Sequence, residues 1–257
     1  MTFIGSIGMR RWSDHGAPRG DIVVEPWLRG PNGQLRVGVA AILSDLVIGI
    51  PPTGTTTSTV ELSVRWTAEA PTAGRVTCAG RIRKWGQRLM FGEASLCDES
   101  GVVVGFAAGT FVSGEIGPSS DLTTDPSPWG GSTFAHRSVA EALQVEVRGP
   151  GELAMPMQPW VMNGPGGTVQ GGIQACLAEL AAEQALPGAY HVTDLAVRYF
   201  NRGKVGPILA VTQVLPSAGS DRSVLIEMSD AGNGNRPLSD ALATIRPVES
   251  SAPRPRG

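Results

Sequence analysis

Two stretches of this chain place an acid behind a glycine-bearing helix start. The turn-rich run N-G-P-G-G-T-V leads into Gln170-Gly171-Gly172, then into an apolar helical pattern that carries Glu179 nine residues after Gln170. Earlier, Arg36-Val37-Gly38 opens a similar pattern that carries Asp45 nine residues after Arg36. The first amides of a helix have no intrahelical acceptor, and the helix dipole adds partial positive charge there. Such amides can hold the negative charge that develops on a carbonyl oxygen under attack. Glycine lets a substrate come close to that backbone. A carboxylate two and a half turns along could activate water or attack directly, and burial would raise its pKa and make it a stronger base.

The elements that position these groups occur twice. E-P-W-L at 25–28 answers Q-P-W-V at 158–161, and E-L-S-V-R-W at 61–66 answers D-L-A-V-R-Y at 194–199. The R-V-G-V-A-A-I-L-S-D stretch at 36–45 answers Q-G-G-I-Q-A-C-L-A-E at 170–179. The order is kept and the spacing stays between 133 and 134 residues, which chance identities would not do. The chain therefore divides into an N-terminal unit over 1–115, a linker over 116–133 and a C-terminal unit over 134–257. The joining stretch, from about Ser113 to Ser132, is rich in Ser, Gly, Pro and Asp.

Each copy predicts a short extended segment and a Gly/Pro/Asn turn, then one helix, then four strands. The helices are expected over Val37–Ile48 and Val169–Leu186, stopped by Pro51-Pro52 and Pro187-Gly188. The strands are expected over Val60–Thr67, Arg75–Lys84, Leu89–Asp98 and Val102–Val112, and over His191–Phe200, Ile208–Leu215, Ser223–Asp230 and Leu238–Arg246. One helix followed by a run of strands argues an α+β class with an antiparallel sheet. Ile173, Cys176, Leu177, Leu180 and Ala181 form one apolar stripe, and Ala175, Ala178 and Ala182 make the rest small and apolar. A helix apolar nearly all round is wrapped by its surroundings. A helix inside a curled sheet, present twice, is a tandem (double) hotdog.

Over about residues 21–247 the chain resembles double hotdog proteins of the acyl-CoA thioesterase superfamily, of the phenylacetyl-CoA and hydroxybenzoyl-CoA thioesterase kind. Many of these carry Asn or Gln, then His-Gly-Gly, then an acid nine residues after the His. Asn163 stands seven residues before Gln170, Gly171-Gly172 match the glycine pair, and Glu179 matches the acid, with Gln170 where His is usual. In the first copy Arg36 holds the His position, Val37-Gly38 replace the glycine pair, and Asp45 keeps the acid. The resemblance implies hydrolysis of an acyl-CoA thioester to free acid and CoA, without a cofactor. It implies that each site joins the helix start of one copy to the acid of the other. One site then combines Asn163, Gln170, Gly171 and Gly172 with Asp45, and the other combines Glu179 with Arg36 and Gly38. The C-terminal helix is the better match, which favours Glu179. Two other functions fit the same fold: a non-catalytic acyl-CoA or ligand binder, and a dehydratase or hydratase. The latter usually pairs His with an acid, and neither helix offers a His.

Structural roles compete for the same residues. Glu179 could be a carboxylate neutralised by an arginine such as Arg198, Asp45 could sit on a solvated turn, Gln170 could simply open a helix, and Asn163 before Gly-Pro suits a turn. Arg65 and Arg198 favour charge pairs over phosphate contacts, and Trp27 and Trp160 favour the core. No Gly-Lys-Ser/Thr follows the glycine-rich loop, so it is not a phosphate loop. A formal net charge of −2 gives no footprint for nucleic acid or an anionic membrane, and no apolar run reaches the roughly 20 residues of a membrane span. Cys78, Cys97 and Cys176 have no metal-type spacing and are odd in number, which predicts thiols in a cytoplasmic protein. The N-terminus shows no secretory pattern, and the tail S-S-A-P-R-P-R-G reads as disordered. The superfamily implies a homo-oligomer.

Overall fold

The computed structural model describes residues 2–49, 55–116, 127–128, 136–162, 167–217 and 219–248. Asn163, Pro51-Pro52, the tail and most of the expected linker lie outside these described residues.

The N-terminal half runs α1 (Phe3–Ser6), β1 (Arg10–Asp14), β2 (Ala17–Val23), α2 (Val37–Gly49), β3 (Thr55–Trp66), β4 (Arg75–Trp85), β5 (Leu89–Cys97) and β6 (Val103–Ile116). A two-residue strand, β7 (Ser127–Pro128), follows. The C-terminal half runs α3 (Val139–Ala142), β8 (Glu146–Gly149), β9 (Glu152–Met155), α4 (Gly171–Glu183), β10 (Tyr190–Tyr199), β11 (Ile208–Leu215), β12 (Arg222–Asp230) and β13 (Arg236–Pro247). The strands form one thirteen-stranded sheet in the order β7-β1-β2-β4-β5-β6-β3-β10-β13-β12-β11-β9-β8, and every adjacent pair is antiparallel. Each half curls around its own helix, so the architecture is a tandem hotdog.

The two halves meet at β3 and β10. Ser63 pairs with Ala196, and these are equivalent residues of the repeat. Equivalent residues can be antiparallel partners only on a local twofold axis, which therefore passes between them. The helices obey the same axis. A Cβ on Gly38 would lie 2.7 Å from the Cys176 Cα, and a Cβ on Gly172 would lie 2.7 Å from the Ile42 Cα. These are one contact seen twice. They run α2 antiparallel to α4 and bring the backbones closer than any side chain allows. Glycine is required at both positions because no Cβ fits there.

All thirteen residues of α2 are buried, including β-branched Val37, Val39, Ile42, Val47 and Ile48. Their helix propensity is poor, and enclosure by the sheet overrides it. Asp45 lies on this helix and is 6% exposed, so it does not sit on a solvated turn. The inner face of the sheet follows the two-residue alternation, as in β5, where every second residue from Met90 to Leu96 is buried.

Several elements differ from the expected ones. α4 starts at Gly171 because the Val169 N–H donates to Gly203 O and Gln170 serves as the cap. β3 starts at Thr55, ahead of the expected Val60, because the Thr/Ser run before Val60 pairs along β6 as far as Ile116. The single extended segment before each helix is a hairpin. His15 and Gly16 take positive φ values of 47° and 82° in a two-residue turn of the kind that suits the strand twist. Each hairpin is preceded by a one-turn helix capped by a hydroxyl: Thr2 accepts the Gly5 N–H, and Ser138 accepts the Glu141 N–H. Trp27 and half-buried Trp160 each pack edge-on against Phe3 and His136, joining the N-terminal segment to the second half.

Candidate active site

The contact between α2 and α4 holds two constellations related by the local axis, and they are not chemically alike. At the start of α4, Gln170 is the N-cap. Its side-chain Oε1 accepts the Ile173 N–H at 3.2 Å. Glutamine is not a favoured cap, but this bond fixes its amide so that Nε2 points away from the helix, where it donates to Asp45 Oδ2. The other carboxylate oxygen, Oδ1, accepts the Thr59 hydroxyl at 2.6 Å. Thr59 comes from β3, so α2, α4 and β3 jointly orient one acid. Burial pushes the Asp45 carboxyl up to about 6, with the Thr59 hydrogen bond opposing the shift.

The first amides of α4 lie beside this acid. Among the described residues, the Gly171 and Gly172 N–H groups have no hydrogen-bond partner. The Tyr199 hydroxyl donates to Gly171 O at 2.9 Å, and a Cβ on Gly171 would meet the Tyr199 ring at 3.2 Å. Tyr199 thus pins the helix start. Burial, and secondarily the charge of Asp45, keep its phenol well above its ordinary pKa and therefore protonated.

At the start of α2 the equivalent amides are taken. Glu179 Oε1 accepts the Val37 N–H and Oε2 accepts the Gly38 N–H, each at 2.9 Å. The difference is one methylene. A glutamate on α4 reaches the first amides of α2, whereas its counterpart Asp45 stops short and meets the Gln170 side chain. Arg36 closes this end: its Nη1 lies 2.8 Å from Glu183 Oε2 and 3.9 Å from Glu179 Oε1. Arg36, Glu179 and Glu183 are all buried. Burial raises the pKa of both glutamates, Glu183 to about 8, and the Arg36 charge opposes the rise.

Glu179 is therefore paired with Arg36 rather than with Arg198. Arg198 pairs with Asp240 and Arg65 with Asp194, both on the exposed face of the sheet. Sequence reasoning did not identify Thr59, Tyr199 or Glu183. Tyr199 carried one signal, its repeat equivalence to Trp66. Glu183 falls opposite Gly49 in the repeat, so no matched acid marks it, and nothing local separates Thr59 from the other residues of its Thr/Ser run. Cys78, Cys97 and Cys176 are free thiols, and no helix among the described residues is long and apolar enough to cross a membrane.

No protein-family model matches the sequence, and no curated protein sequence matches it. Solved structures do. A provisionally named thioesterase from Novosphingobium aromaticivorans superposes with a TM-score of 0.62 at 15% identity, covering 92% of this chain and 98% of that one. A provisionally named oleoyl thioesterase from Lactobacillus plantarum gives 0.62 at 11% identity, covering 97% and 100%. A conserved protein of unknown function with the hot dog fold, from Alicyclobacillus acidocaldarius, gives 0.59 at 10% identity, covering 95% and 97%. The likeness spans both halves and establishes the fold of the chain as the tandem hotdog.

Proposed function

We propose that this chain hydrolyses an acyl-CoA thioester, and that the reaction runs in the Asp45 constellation. The observation that carries this reading is the asymmetry at the two helix starts. Among the described residues the α4 amides have no partner, beside an oriented acid, while the α2 amides are capped by Glu179. In this reading the thioester carbonyl oxygen sits against the Gly171 and Gly172 N–H groups. Asp45 takes a proton from a water molecule as the water oxygen adds to the carbonyl carbon. The carbon–sulfur bond then breaks, and Asp45 returns the proton to the thiolate sulfur. Thr59 and Gln170 hold the carboxylate in place, and a neutral amide at Gln170 leaves Asp45 as the single group that titrates there near neutral pH.

Glu179 becomes a structural cap and, with Arg36 and Glu183, a buried charge cluster. This reverses the preference that the glycine pattern of α4 suggests, because that pattern cannot show where the acid's hydrogen bonds go. The names borne by the solved neighbours support thioester chemistry in general terms. A homo-oligomer in the cytoplasm is part of the same reading, and light scattering above the 26.8 kDa of one chain would bear it out.

The test is release of free thiol, followed spectrophotometrically, over short, medium, long and aromatic acyl-CoAs. Release that is lost in Asp45→Asn and kept in Glu179→Gln supports the proposal. Tight CoA binding with no thiol release from any substrate would replace it with a non-catalytic binder.

A further inference from the structure

The β3–β10 ladder ends at the Glu61–Arg198 pair, but β3 runs on to Thr55 while the chain leaves β10 after Tyr199. The two segments part beside the Asp45 constellation. Half-buried Thr59, which holds Asp45, stands on the β3 side, and Tyr199, which holds Gly171, on the other. Residues 200–204 border this mouth and carry exposed cations. Arg202 reaches across it, its Nη2 donating to Ser58 Oγ at 2.9 Å, next to Thr59 in the chain. The Val169 N–H, just before the α4 cap, donates to Gly203 O at 3.2 Å and so ties the same loop to the helix start. Arg236 joins from β13: its Nη2 donates to Asn201 Oδ1, and the Asn201 amide donates to Pro237 O at 2.8 Å. Lys204 adds a third exposed cation.

These charges are not spent on protein carboxylates. Arg202 and Arg236 use neutral acceptors, and neither they nor Lys204 has an acidic partner among the described residues. The Asp230 carboxylate under this loop is taken up by the backbone N–H groups of Lys204, Val205 and Gly206. On the outer face of the sheet, by contrast, Arg65 is held by Asp194 and Arg198 by Asp240. A guanidinium resting on a neutral acceptor keeps its charge and its remaining N–H donors for a phosphate.

The equivalent mouth in the other copy lacks them. The Phe200 and Asn201 N–H groups both donate to Leu238 O, and the Thr67 and Ala68 N–H groups both donate to Val104 O, which aligns the two loops. Counted from these matched bonds, Arg202 stands opposite Glu69 and Arg236 opposite Val102. The Glu179 end therefore carries an acid and an aliphatic residue where the Asp45 end carries two arginines. This surface asymmetry runs the same way as the asymmetry of the helix amides and involves none of the same residues.

We propose that Arg202 and Arg236, with Lys204, dock the phosphates of the CoA moiety at the mouth of the Asp45 constellation, so that a CoA thioester is admitted at this end of the molecule alone. The identity of the anion rests on the thioesterase reading, but the test is binding, which needs no turnover. In calorimetric titration of the full chain, CoA binds the wild type, and the double variant Arg202→Gln/Arg236→Gln weakens it by at least about tenfold. Arg148→Gln, on the edge strand β8, leaves the affinity unchanged. Added salt weakens CoA binding to the wild type more steeply than to the double variant, because the screened attraction goes with the charges. Near-ultraviolet circular dichroism confirms that each variant is folded. Absence of CoA binding, equal affinity in the double variant, or an equal salt dependence would each overturn the proposal. The expected binding results without thiol release from any acyl-CoA would remove the hydrolase reading and uphold the docking site.

Discussion

Asp45 and Glu179 are equivalent positions with opposite hydrogen-bond environments. Asp45 accepts from two side chains, a hydroxyl and an amide, and burial dominates its pKa. A carboxylate raised from 3.8 to about 6 favours its protonated form in the folded state. Its contribution to stability is therefore complete below the unfolded value and is lost as pH rises through about 6. Asp45→Asn should accordingly stabilise the fold at neutral pH, by about 3 kcal/mol at most given ~1.4 kcal/mol per pKa unit. It should also cut kcat at least about 100-fold with little change in KM, because the amide keeps the shape but takes no proton. In the wild type kcat/KM should rise with pH through a single limb near 6; a profile flat from pH 5 to 8 would sink Asp45 as the base. Glu179 accepts two backbone N–H groups next to Arg36, so Glu179→Gln leaves one amide facing an NH₂ group. That variant should lose about 1–3 kcal/mol in urea unfolding while the folded fraction keeps its kcat. Arg36→Leu strands two buried carboxylates and should cost more, about 3–5 kcal/mol.

The start of α4 does two jobs at adjacent residues. Gly172 is a packing glycine, pressed against the Ile42 backbone; Gly171 faces Tyr199 and offers its N–H. They can be separated experimentally. Gly171→Pro keeps a conformation suited to the first helical position and removes only the N–H. It should lower kcat by roughly 100-fold, the low end for an oxyanion donor. Gly171→Ala brings the same Cβ toward the Tyr199 ring, retains the N–H, and should stay within a few fold of wild type. If both variants behave alike, the loss comes from the ring contact and the N–H has no role. Gly172→Ala and Gly38→Ala both drive a Cβ to 2.7 Å from a facing backbone atom, and should part the helices and destabilise the fold whatever they do to chemistry.

At the scale of the molecule, neither half is complete alone. Separating residues 1–115 from 134–257 would strip β10 from β3 and expose the glycine-lined faces of α2 and α4. Each half expressed alone should aggregate or self-associate, and co-expression should restore a soluble pair; two independently monomeric halves would contradict this. The repeat made the tandem hotdog legible in the sequence, because copies at constant spacing must share a fold and helices apolar all round must be enclosed. The family resemblance, not the repeat, implied that Asp45 faces Gln170, and Glu179 faces Arg36 and Gly38, across the copies. Sequence ranked the two constellations by family resemblance alone, which favoured Glu179. Ranking them depends on whether a side chain one methylene longer reaches two amides 142 and 141 residues away in the chain. Sequence could not find Thr59 or Glu183, whose roles come from neighbours supplied by distant segments. Pattern and period reflect local backbone geometry and burial, so they are written along the chain. Which acid is left free to react is set by distances between segments, and only the folded structure decides those.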